Sequence, residues 1–102
     1  MTERITPDSA RALLAKAGGQ RWVSIFKRGN LELEYYVPVK TDPQQPHTRD
    51  EVYFVLSGRG EFVIDGRRQD FGPGEVIFAP ASVPHRFEKF SDDFATWAIF
   101  SG

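Results

Sequence analysis

The chain has 102 residues, 13 Lys and Arg against 14 Asp and Glu, and a formal net charge of −1. That length suits one domain burying about 60–65% of its unfolded surface, and the 14% aromatic content supplies bulky core material. The balanced charge offers no basic footprint for nucleic acid, and the lack of cysteine excludes disulfides, thiolate metal ligands and a cysteine nucleophile.

In chain order, Met1 to Ala17 lacks the apolar core of a signal peptide, and no run reaches the length of a membrane span, so neither a membrane nor a nucleic acid is an expected partner and the cytoplasm is the expected location. Thr6-Pro7-Asp8-Ser9 before Ala10 to Ala17 predicts a capped short helix ending at Gly18-Gly19. Strands are predicted over Trp22 to Arg28, Leu31 to Val37, Glu51 to Leu56, Glu61 to Ile64, Val76 to Ala79, His85 to Lys89 and Phe94 to Phe100. Turns at Gly29-Asn30, Ser57-Gly58, Asp65-Gly66, Gly72 to Gly74 and Ser91 to Asp93 separate them at short intervals. Such spacing signals an all-β antiparallel sandwich or barrel. The whole chain, 1–102, reads as one domain, with 1–20 as helix and lead-in and 21–102 as the barrel. Gly58, Gly60, Gly66, Gly72 and Gly74 read as turn residues that need a positive φ.

His47 and His85 are the two histidines of the chain. A fully extended run from His47 to Glu51 would hold their side chains roughly 13 Å apart at about 3.3 Å per residue, too far for one ion. A turn over Thr48-Arg49-Asp50, ending one strand at His47 and opening the next at Glu51, brings them together. His85 opens a strand after the Pro-bounded loop from Pro80 to Pro84. Two neutral imidazoles and a carboxylate make the facial triad suited to non-haem iron, and they also accommodate manganese, nickel or zinc with positions left open. Taken singly, each of the three has a plain structural reading, as a hydrogen-bonded histidine or as a solvated charge beside Arg49.

Alternation in Leu31–Val37 puts Glu32, Glu34 and Tyr36 on one face and Leu31, Leu33, Tyr35 and Val37 on the other. The polar face is expected to be a solvated outer face; turned inward, it would line a substrate pocket. Tyr53 shares a face with Glu51, and Phe87 with His85, as pocket walls. Thr96 or its neighbour Trp97 closes the pocket from the last strand, with the parity open.

These segments resemble the two signature motifs of the cupin superfamily over roughly the middle half of the chain. Against the first, G(X)5HXH(X)3,4E(X)6G, His47 matches the second histidine, with Glu51 and Gly58 at the required offsets. Against the second, G(X)5PXG(X)2H(X)3N, Gly74, Pro80 and His85 match. Val39, Gln45, Ser82 and Lys89 stand where the motifs have glycine, histidine, glycine and asparagine. The resemblance implies a double-stranded β-helix, or jelly-roll barrel, holding a divalent metal ion (Fe, Mn, Ni or Zn) through His47, Glu51 and His85, with Gln45 as a fourth ligand. It further implies dioxygenase, isomerase, lyase or cyclase chemistry on a small organic molecule, with Tyr53, Glu34 and Tyr36 as candidate acids or bases. The alternative is a non-catalytic small-molecule-binding or sensory barrel with a structural metal or none. A homodimer is expected, with Trp22, Ile25 and Phe26 as residues that could pair across a two-fold axis.

Overall fold

The computed structural model describes residues 4–42 and 47–102. Helix α1 (Pro7–Ala15) starts where a proline pre-sets φ and Thr6 caps the orphan amides: its hydroxyl accepts from Ser9 N–H while Ser9 Oγ accepts from Thr6 N–H. Eight strands follow: β1 (Trp22–Arg28), β2 (Leu31–Tyr36), β3 (Asp50–Ser57), β4 (Gly60–Ile64), β5 (Arg67–Phe71), β6 (Val76–Ala79), β7 (His85–Glu88) and β8 (Ala95–Ser101). They form a five-stranded sheet, β1-β2-β8-β3-β6, and a three-stranded sheet, β5-β4-β7, with every pairing antiparallel. The predicted all-β jelly-roll architecture with one short helix is the one observed. No helix among the described residues is long and apolar enough to cross a membrane.

Strand β5 was not expected. Arg67-Arg68-Gln69-Asp70-Phe71 shows no apolar alternation, because β5 is the edge of the smaller sheet and four of its five residues face water. The polar face of β2 is the second correction. Glu32 and Tyr36 are buried and Glu34 half-buried, all on the barrel side, while Tyr35 on the opposite face is covered by α1. Both faces of β2 are therefore occupied, so alternation alone could not tell inside from outside.

Register across the large sheet sets out the interior. Trp22, Tyr36, Thr96 and Val55 form one row; Ser24, Glu34, Ala98 and Tyr53 the next; Glu32, Phe100 and Glu51 the third. This also fixes the last strand: Thr96, Ala98 and Phe100 point into the barrel, whereas Trp97 packs outside against Tyr35 and α1. Against Tyr53 of the second row, the space between the sheets is filled by Phe62, Phe71, Phe87 and Phe94, with contacting ring centroids 4.7–5.9 Å apart in tilted and edge-on contacts. A core this full closes one end of the barrel.

Two glycines show how tightly it is built. Gly58 has φ +88°, and a Cβ there would lie 2.5 Å from Phe94 Cα. Gly60 has no positive φ and is required by space instead, since its Cβ would meet Phe90 Cα at 2.8 Å. Gly72 likewise departs from the expected positive φ, while Gly66 and Gly74 adopt it.

Candidate metal centre

The open end of the barrel gathers His47, Glu51 and His85, whose donor atoms all lie within 4.8 Å of one another; this is the one such cluster found among the described residues. His47 does not end a strand. It precedes a bend at Thr48 and Arg49, and β3 begins at Asp50, which serves the same purpose of folding His47 back over Glu51. His47 Nε2 lies 2.6 Å from Glu51 Oε1, and His85 Nε2 lies 3.3 Å from the same oxygen. Two ligands of one ion bonding at about 2.0–2.2 Å can be no more than about 4.4 Å apart, and both pairs lie within that limit, the closer one at direct hydrogen-bond distance.

The loops are stitched so that the donors converge. Ser82 N–H donates to His47 C=O at 2.6 Å, and Ala81 N–H donates to Asp50 Oδ1 at 2.8 Å, tying the Pro80–Pro84 loop to the bend before β3. Asp42, buried, accepts from Phe87 N–H at 2.7 Å and from the Tyr36 hydroxyl, joining the approach to the site to β7 and β2. Asp42 was not singled out from the sequence; its partners are separated by up to 45 residues, and no local pattern marks it.

Each imidazole is oriented by its other nitrogen. His47 Nδ1 lies 3.0 Å from Arg49 C=O and His85 Nδ1 lies 2.9 Å from Val83 C=O. A carbonyl only accepts, so both Nδ1 atoms carry a proton, and in the neutral ring each Nε2 then presents a lone pair toward Glu51. A lone pair facing a carboxylate is stabilised by a cation between them. A proton meets that need in part: burial pulls the His85 pKa down, but the hydrogen bond to Glu51, the Val83 carbonyl and the charges of Glu51 and Asp42 outweigh it and raise the value overall. A divalent ion meets it for both rings at once, and backbone-anchored imidazoles around a buried carboxylate are the donor set such an ion prefers.

Tyr53 stands beside the cluster, fully buried, its hydroxyl donating to Glu51 Oε1 at 2.9 Å and lying 3.1 Å from His85 Nε2. Glu34 and Tyr36 sit across a cavity of about 110 Å³ lined by Trp22, Glu34, Tyr36, Glu51, Ala98 and Phe100. Burial, then the charges of Glu32 and Glu51, push the Glu34 pKa up to about 7. The Tyr36 hydroxyl is raised above its ordinary value by burial and by its bond to Asp42, so its proton is held. Arg49 spans the rim: its guanidinium pairs with Glu32 at 2.8 Å and lies 4.5 Å above the Phe100 ring, which in turn contacts His47. Gln45 lies outside the described residues.

Comparison with known proteins identifies the family and the fold. Residues 33–100 match the cupin domain family. An uncharacterized protein of Streptomyces coelicolor is 41% identical over 61 residues, 60% of this chain and 58% of that protein. Dimethylsulfoniopropionate lyase DddQ of Ruegeria pomeroyi is 31% identical over 61 residues (59% of this chain, 30% of the lyase), and an acireductone dioxygenase of Bacillus velezensis 44% over 51 residues (45% and 29%). The chain thus spans between 29% and 58% of the length of these relatives. A cupin 2 conserved barrel domain protein from Salinispora arenicola superposes over all of this chain and 91% of its own at a TM-score of 0.74 with 20% identity, a likeness of fold. With the family's motif residues assembled at the mouth of the expected barrel, this chain belongs to the cupin domain family.

Proposed function

We propose that the chain is a small metal-dependent cupin in which His47, Glu51 and His85 hold one divalent first-row ion, Fe, Mn, Ni or Zn, next to a cavity that receives a small organic molecule. The observation that carries this reading is the pair of Nδ1–carbonyl contacts, which turn both Nε2 lone pairs onto one buried carboxylate oxygen. The ion supplies Lewis-acid or oxygen-activating chemistry. The protein's own groups do the rest. Tyr53 holds Glu51 in position and offers a proton at the edge of the site, Glu34 exchanges a proton near neutral pH, and Tyr36, committed to Asp42, serves as a wall. Relatives named as a lyase and as a dioxygenase fit an enzyme, and one named as a transcriptional activator fits the alternative of a sensory barrel. We read the chain as cytoplasmic and homodimeric, the latter a state that light scattering reports. Of the residues expected at a dimer interface, Ile25 packs in the cluster under α1 and Trp22 lines the cavity, while Phe54, Val76 and Phe78 are exposed apolar side chains on the paired strands β3 and β6.

Elemental analysis of protein purified without an affinity tag, beside His47→Ala and Glu51→Ala, tests the metal. Near-stoichiometric metal in the parent and loss in both variants is expected. A parent that stays metal-free after reconstitution overturns the reading in favour of a ligand-binding barrel.

A further inference from the structure

The cavity beside Glu51 exists because of Ala98. Its row neighbours are Glu34 on β2 and Tyr53 on β3, and a methyl group between them leaves space that any larger residue would occupy. Three aromatic rings, Trp22, Tyr36 and Phe100, wall that space, and the Glu34 carboxyl stands among them. Aromatic faces carry negative electrostatic potential and attract cations, most strongly where water is excluded. Phe100 already takes a cation against its ring, the Arg49 guanidinium at 4.5 Å. The charges acting on Glu34 are those of Glu32 and Glu51, with only Arg49 opposing them. Glu51 faces the ion site and Glu32 is paired with Arg49, so Glu34 is the carboxyl of this cavity that a bound cation would meet, and an apolar group would strip water from it without giving it a partner.

We propose that this cavity recognises the positively charged head of a small organic cation, a substituted ammonium or sulfonium group, with Trp22, Tyr36 and Phe100 as its walls and Glu34 as its counter-charge. This names the ligand class for the site and rests on the reading that this end of the barrel takes a small organic molecule. The cavity, about 110 Å³, admits a small head group and not a large ring system. The remainder of the ligand leaves past Trp22, whose side chain is partly exposed at the rim.

Calorimetric titration tests this on protein whose metal content has been fixed by elemental analysis. The probes are choline, trimethylsulfonium and 3,3-dimethylbutan-1-ol, the last being the uncharged carbon isostere of choline. The expected result is that one or both cations bind at least tenfold more tightly than the alcohol, the better of them showing which onium centre the site prefers. Glu34→Gln should weaken the cation at least tenfold and leave the alcohol within about twofold. Ala98→Leu should abolish cation binding while the metal content is retained. An alcohol that binds as well as the cations, or no binding of any probe to metal-replete protein, overturns the inference and leaves the metal site standing. Cation preference in protein that takes up no metal supports the inference and overturns the metal.

Discussion

Tyr53 carries most of the support for the carboxylate at the centre of the site. Its hydroxyl is fully buried, donates to Glu51 Oε1, and touches His85 Nε2, so removing it leaves both ligands less well held. Partners of this kind are worth about 10–100-fold in metal affinity, and Tyr53→Phe should lower affinity by that factor in a chelator competition while keeping the fold. Unchanged affinity would reduce Tyr53 to a core residue. Glu34 makes a different prediction, in pH. Its folded pKa of about 7 lies above the ordinary 4.5, so between those values the native state binds a proton that the unfolded chain releases. Stability from this group is therefore full below about pH 4.5 and lost as pH rises through 7. Glu34→Gln should leave stability near parental at pH 4 and raise it by about 1–3 kcal/mol at pH 8 in metal-free protein, as followed by denaturant titration. At this scale the triad was legible because a fixed spacing and the chain's two histidines marked it. Asp42 was not legible, since its importance comes from burial against Tyr36 and Phe87, which only the fold creates.

Among the elements, apolar runs bounded by turn residues announce themselves, and β1 and β6 fall on their expected bounds. Strand β5 did not, because an edge strand held mainly by backbone pairing to β4 needs no apolar face. Two of the three motif positions where glycine or asparagine is replaced have a backbone meaning: Ser82 has φ +66° and Lys89 φ +52°, both in the left-handed region that glycine and asparagine tolerate best. The turn geometry persists without the residues that make it cheap. Ser82 is exposed, and its one hydrogen bond to the site among the described residues is from its backbone N–H to His47 C=O. Ser82→Gly should therefore gain up to about 1 kcal/mol, net of the extra freedom of glycine in the unfolded chain, which for a domain of this size is a rise of about 4–8 °C in Tm. A fall in Tm would mean that the loop is not strained at this residue.

Across the whole molecule, the three donors tie together two layers. Glu51 stands on β3 of the five-stranded sheet, His85 on β7 of the three-stranded sheet, and His47 on the segment that bends back over the opening between them. At the other end the aromatic core holds the sheets together; at this end the apolar filling thins to Phe100 and the small cavity, and the described contacts across it are largely polar. An ion bound here would act as a clasp between the layers, and because the unfolded chain separates residue 47 from residue 85, it would bind the native state preferentially. Free metal at 100 times its Kd stabilises by about 2.7 kcal/mol, which in a domain of about 100 residues corresponds to roughly 10–20 °C in Tm. Stripping the ion with a chelator should lower Tm by that amount, restoring the ion should recover it, and His85→Ala should melt at one temperature with or without chelator. If the parent and His85→Ala respond alike to chelation, the ion is held elsewhere and the sheets are joined by the core alone.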